Sequence, residues 1–337
     1  SLNSSHAGRL PWAELARRVD GVEGHVRFRL QILFSRRANT ASPYRSKIGC
    51  HTVFHVRDVL GIFLHGSGVT CEQEDGGITG HFVSNRGERQ VIAIIATQDE
   101  PLVVPSIEDI DARIDISDRA WRFWASSIAY QGCYRDGFVR SALALKLLLF
   151  SPSGAIAAAA TTSLPEKIGG NKNYDYRFAW VRDAGYTIKA FLAINAQPEA
   201  QAAFAWLLKR LREHHPLVCY TLEGGRVADV RETGCTGYRN SRPVVTGNQA
   251  NRQHQHGIYG DIFGTAWRFI EADNILDSSS AELLSHIADQ CADNWRQKDA
   301  GIWELREEQH YTFSKISCWQ ALARAVELAD RGQLPTT

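Results

Sequence analysis

The periodicity of apolar residues changes once along this chain, and that change constrains the fold more than any other feature. From Gly24 to about Thr97, apolar and polar residues alternate with period two, as in Val26-Arg27-Phe28-Arg29-Leu30-Gln31-Ile32. Successive side chains of a strand point to opposite faces, so the pattern predicts a half-buried antiparallel strand. Further strands are predicted from His51 to Val56, Leu60 to Leu64, Ile78 to Ser84 and Arg89 to Ala96, separated by turns such as Asp75-Gly76-Gly77. Several short strands in series imply a β-sandwich.

Beyond Pro105 the period becomes that of a helix. Ile107 to Ile116 is charged and mixed, and Trp121 to Phe150 reads largely as helix. The domain boundary is therefore expected near residue 115, with a partial sandwich and its linker over 1–115 and a helical domain over 116–337. Pro198 to Leu211 places Ala203, Phe204, Leu207, Leu208 and Leu211 on one face. His256 to Ile270 has a stripe of Ile258, Ile262, Phe263, Ala266 and Phe269. Ser279 to Trp295 has one of Leu284, Ile287, Ala288, Cys291 and Trp295, behind a Ser279/Glu282 capping box. Phe313 to Ala329 repeats the pattern with Ile316, Trp319, Ala323 and Val326; with Asp183 to Asn195, roughly six helices are expected. Long loops at 165–182, 217–249 and 298–312 are rich in Gly, Tyr, Trp, Arg and Glu, which on a helical scaffold marks functional segments.

Composition narrows the ligand. Lys and Arg number 38 against 37 Asp and Glu, so a formal charge of +1 offers no electrostatic footprint for nucleic acid or a membrane surface. A neutral ligand fits better. No apolar run approaches the ~20 residues of a membrane span. The seven cysteines are widely spaced with no CxxC pair, and reduced thiols in a cytoplasmic protein are the expectation. Methionine is absent even at position 1, so the natural start is expected to be missing. No G-x-S-x-G elbow, P-loop or dinucleotide fingerprint is present, and no cofactor is expected.

Three clusters could carry chemistry. Asn173-Tyr174-Asp175-Tyr176-Arg177-Phe178-Ala179-Trp180-Val181-Arg182-Asp183 mixes aromatic faces, which pack on the C–H face of a sugar, with charged groups that bind its hydroxyls. An Arg182–Asp183 pair capping the following helix explains the same residues without a ligand. Asp299-Ala300-Gly301-Ile302-Trp303-Glu304-Leu305-Arg306 sets a carboxyl beside an indole, an apolar setting that favours the protonated form a general acid needs. A Glu304–Arg306 surface pair is the plainer alternative. Gly247 to Gly257 offers side-chain amides suited to hydroxyl recognition, and His254 and His256, whose i,i+2 spacing and lack of a third ligand argue against a metal.

In their order these clusters resemble glycoside hydrolase family 15, the glucoamylases, glucodextranases and bacterial trehalases. The resemblance rests on Arg140-Ser141-Ala142-Leu143, Ala160 to Glu166, Asn173 to Asp183, Gly237-Tyr238, Ser241-Arg242-Pro243, Gly247-Asn248, Tyr259-Gly260-Asp261, Gly301 to Glu304, Phe313-Ser314-Lys315 and Cys318-Trp319. It implies a β-sandwich followed by an (α/α)6 toroid, about half of which is present, in a fragment lacking both ends. It also implies inverting hydrolysis of a terminal α-glucosidic bond in an oligosaccharide or disaccharide. By position, Glu304 would be the general acid and Trp303 its aromatic neighbour. Arg182 and Asp183 would grip the non-reducing sugar, Trp180 would line the same subsite, and Tyr176 would help hold the attacking water, with Arg306 and Gln255 as neighbours. The family's general base lies on a later loop, so this chain alone is expected to be inactive. A glycoside phosphorylase of the same toroid and a non-catalytic sugar-binding relative remain alternatives, and oligomeric state and the choice among α-glucosides stay open.

Overall fold

The structure, a computed structural model, describes residues 13–34, 43–56 and 58–335, so the Ser1-Leu2-Asn3 opening and Thr336-Thr337 lie outside it. The chain divides into two compact units, the first ending at Trp124 and the second beginning at Ala125.

Among the described residues the first unit has eight strands: β1 (Ala13–Asp20), β2 (His25–Leu33), β3 (Tyr44–Ile48), β4 (His51–Val56), β5 (Val59–His65), β6 (Thr70–Glu74), β7 (Gly77–Asn85) and β8 (Arg89–Gln98). They form two antiparallel sheets, β1-β8-β5-β4-β3 and β2-β7-β6. Phe54, Phe63 and Ile78, with Leu30, Ile32, Ile92 and Ile94, fill the space between them. The five expected strands are all present. The three that the alternation does not reveal, β1, β3 and β6, are edge strands, where burial imposes the weakest pattern.

Helix α1 (Ile107–Ser126) covers the other face of the larger sheet. Ile107 and Ile110 pack on Ile62, Val91, Ala93 and Ile95, so β8 is buried on both faces, which explains its nearly continuous apolar run. The charges of α1 answer those of β1: Arg18 bonds Asp111 (3.1 Å) and Asp115 (2.5 Å), and Arg113 bonds Glu14 (2.5 Å). Residue 115, where sequence suggests a boundary, thus lies inside a helix packed on the sheet. The expected 121–150 helix is interrupted, and α2 (Arg135–Leu148) begins only after the break.

The second unit continues with α3 (Val181–Ala193), α4 (Gln197–His214), α5 (Gly257–Glu271), α6 (Ser278–Asn294) and α7 (Thr312–Asp330). Helices α3, α5 and α7 pack side by side, with α4 against α3 and α6 against α7. The expected stripes of α4 and α5 are buried. The cap of α6 is Asp277, which accepts from the Ser280 N–H at 3.1 Å, in place of the Ser279/Glu282 box. On α7 the expectation fails: Trp319 is 70% exposed, Ile316 and Val326 are also exposed, and Ser314, Ser317, Cys318, Ala321 and Ala325 are buried instead. The reason is close approach. A Cβ added to Gly260 of α5 would meet Ser317 Cβ and O at 3.0 Å, so only a small side chain fits where α5 and α7 come together at Ser317.

Candidate active site

The N-terminal ends of α3, α5 and α7 converge on the turn 299–305. Asp299 pairs with Gln309 in a two-way backbone bridge, Ala300 N–H donates to His254 O (2.9 Å), and Leu305 N–H donates back to Ala300 O (3.0 Å). Gly301 takes φ +67° and Glu304 φ +54°. The first is easy for a residue without Cβ, whereas a left-handed glutamate is strained and is held only by its surroundings.

Those surroundings are specific. Trp180 Nε1–H donates to Glu304 Oε1 at 2.9 Å, and Arg182 Nη2 lies 3.7 Å from the same oxygen. Gln253 Nε2 donates to Glu304 O at 3.0 Å and is itself bonded to Gln255, whose Nε2 donates to Gln253 Oε1 at 3.0 Å. Trp180 is the last residue of a two-residue strand, Ala179–Trp180, paired with Cys219–Tyr220, and its ring packs with Val218, Val227, Ala250 and Phe178. The indole is thereby fixed before it meets the carboxylate.

Several expectations need correction. The indole touching Glu304 is that of Trp180, while Trp303, its sequence neighbour, is 83% exposed. Trp180 itself is 1% exposed, so it grips the carboxylate rather than offering a face to a sugar. Arg306 is exposed and forms no ion pair with a described residue; Glu304 pairs with Arg182 instead. Gln255 is buried and reaches Glu304 only through Gln253. The amides of the third cluster are largely spent on loop structure: Asn248 Nδ2 donates to Asp175 O (3.0 Å) and Asn251 Nδ2 to Val227 O (2.7 Å).

Arg182 spans the site. Its Nε lies 3.4 Å from Asp183 Oδ2 and its Nη1 donates to Ile302 O at 3.4 Å, so one guanidinium ties the start of α3 to the turn. Burial pushes the Asp183 carboxyl up, with Arg182 opposing. Behind them on α5, burial pushes Asp261 up to about 6 against the pull of Lys189 and Arg182. Tyr176 is partly exposed with its ring centroid 6.0 Å from that of Trp180; burial, then the Glu166 and Glu304 charges, raises its phenol. Below the arm carrying it, the fully buried Asp175 accepts from Arg177 Nε and Nη2 (both 2.8 Å) and from the Gly247 N–H (3.2 Å). Sequence reasoning put Gln253 and His256 in the third cluster and Asp299 at the head of the second, but gave none of them a part in holding the Glu304 turn.

A carboxyl with one oxygen held by a buried N–H, beside a guanidinium and partly exposed aromatic rings, is equipped to exchange a proton with a bound polyhydroxyl molecule. The model of the glycosyl hydrolases family 15 matches residues 132–336. The chain belongs to that family. Its curated relatives include trehalases from Thermoplasma volcanium (37% identical over 62% of this chain and 34% of that protein), Thermoplasma acidophilum (32%, 86% and 53%) and Mycobacterium tuberculosis (37%, 63% and 32%). The chain thus spans about a third to a half of their length. Among solved structures it is similar to a bacterial glucoamylase complexed with acarbose, with a TM-score of 0.53 and 11% identity over 86% of this chain and 47% of that one. That likeness shows the fold, a β-sheet region followed by helices.

Proposed function

We propose that the protein of which these residues form part hydrolyses a terminal α-glucosidic bond with inversion, with trehalose the first substrate to test, and that Glu304 protonates the departing oxygen. The observation that carries this is the Trp180–Glu304 hydrogen bond. The indole N–H is a donor only, so it occupies Oε1 and leaves Oε2 to carry the proton. Trehalases among the relatives support the substrate, and Arg182, Asp183, Tyr176 and exposed Trp303 are the groups we assign to gripping the sugar. We read α3, α5 and α7 as part of the inner ring of an (α/α)6 toroid, and the exposed row Ile316, Trp319 and Val326 as the face on which the next inner helix packs.

Inversion needs a second carboxylate roughly 6.5–9.5 Å from the acid to activate water on the opposite ring face, a role we give to none of the described residues. The test is proton NMR of the glucose first released from trehalose by the full-length protein, with Glu304→Gln beside it. Inversion releases one β-glucose from the attacked ring together with one α-glucose from the departing ring, whereas retention releases two α-glucoses, and the variant loses roughly 10²–10⁴-fold in kcat. Retention of configuration, or an active Glu304→Gln enzyme, overturns the reading.

A further inference from the structure

Asp299 is wholly buried, five residues before Glu304, and touches no part of the proposed sugar site. Its Oδ2 accepts two hydrogen bonds from different helices: the His256 N–H at the start of α5 (2.9 Å) and the Ser314 hydroxyl in the first turn of α7 (2.7 Å). Its own N–H and C=O are both engaged with Gln309. One side chain therefore fixes the origin of the turn to the helices beneath it. The far end of the turn is fixed by Gln253, which donates to Glu304 O, and Gln253 lies three residues before His256 in the segment leading into α5. Both ends of the turn are thus referred to one rigid object.

We propose that Asp299 is a positioning residue that sets where Glu304 delivers its proton. The left-handed backbone at Glu304 is the reason it needs one, because a strained residue relaxes once its anchors are loosened. The neighbouring imidazole does not take over the task. Burial, then His254, pushes His256 down to about 4, and neither of its ring nitrogens reaches a protein partner among the described residues. What holds Asp299 is the free His256 N–H at the start of α5 together with the Ser314 hydroxyl in the first turn of α7.

The inference rests on Glu304 being the acid, and the test keeps the two apart. Fluoride leaves α-D-glucosyl fluoride without protonation, water supplying the hydroxyl and the products being glucose, fluoride and a proton. Glu304→Gln in the full-length protein should therefore lose trehalose hydrolysis and keep hydrolysis of the fluoride. Asp299→Ala should follow it in kind: about a hundredfold lower kcat on trehalose, as for a displacement of about 1 Å, with KM and fluoride hydrolysis within about threefold of the parent. Ser314→Ala, which removes one of the two donors, should show the same pattern at about tenfold, and it carries the test if Asp299→Ala does not fold. Equal loss on both substrates, or trehalose turnover within about threefold of the parent, overturns the positioning role. Trehalose turnover retained by Glu304→Gln overturns the assignment beneath it instead.

Discussion

Replacing Trp180 by Phe removes one hydrogen bond from the proposed acid and leaves an aromatic ring in place. The bond is 2.9 Å long, comes from a fully buried donor, and ends on a carboxyl oxygen whose negative charge grows as the proton leaves. An N–H donor binds an anion more strongly than a neutral acid, so the bond strengthens toward the transition state and contributes to kcat rather than to binding. Hydrogen bonds to charged groups contribute about 1.5–3 kcal/mol, which at ~1.4 kcal/mol per decade is about 10- to 150-fold in kcat. The smaller ring also leaves a void among Val218, Val227 and Ala250, at a cost of about 1–3 kcal/mol in stability. Steady-state kinetics on trehalose, run well below the melting temperature of the variant, separate the two effects. A Trp180→Phe enzyme with KM unchanged and kcat within about twofold of the parent would refute the reasoning, since the bond would then contribute equally to ground and transition states.

Two further predictions concern stability. Asp261 binds its proton more tightly folded than unfolded, since burial lifts it from 3.8 to about 6, so its contribution to stability is lost as pH rises from about 4 through 6. Asp261→Asn should raise stability toward denaturant by up to about 3 kcal/mol at pH 7 and by little at pH 4; a gain independent of pH would count against this. Gly260→Val drives a side chain into the Ser317 backbone and should cost about 1–3 kcal/mol by the same assay, with a matching loss of kcat as α5 and α7 part.

The parts of the fold legible in the sequence are those where large apolar residues do the packing. Phe204, Leu207 and Leu211 of α4 and Ile262 and Phe263 of α5 announce their buried face by size. Along α7 the same rule points outward, because most of its buried residues, Ser314, Ser317, Cys318, Ala321 and Ala325, are small and leave little hydrophobic signature. At the site, the carboxylate and the guanidinium were legible as residue types beside a turn and a helix start. Their partners were not, because Trp180 meets Glu304 across 124 positions of sequence, while the indole that sequence offers as a neighbour, Trp303, stands in solvent.

The misread face of α7 and the hold on Asp299 have one physical origin. Small residues on the facing sides of α5 and α7 let the helices approach until a Cβ at Gly260 would touch Ser317. At that separation the His256 N–H and the Ser314 hydroxyl both reach a single oxygen of Asp299, at 2.9 and 2.7 Å. A wider pair, built on the large stripe that periodicity picks out, would put those donors out of reach of one oxygen and leave Asp299 Oδ2 buried without them. The faint packing signal in α7 and the fixed origin of the Glu304 turn are therefore consequences of the same close contact. The geometry of the proposed acid thus depends on Gly260 and Ser317, which carry neither charge nor bulk, as well as on Trp180 and Arg182, which supply bulk and charge.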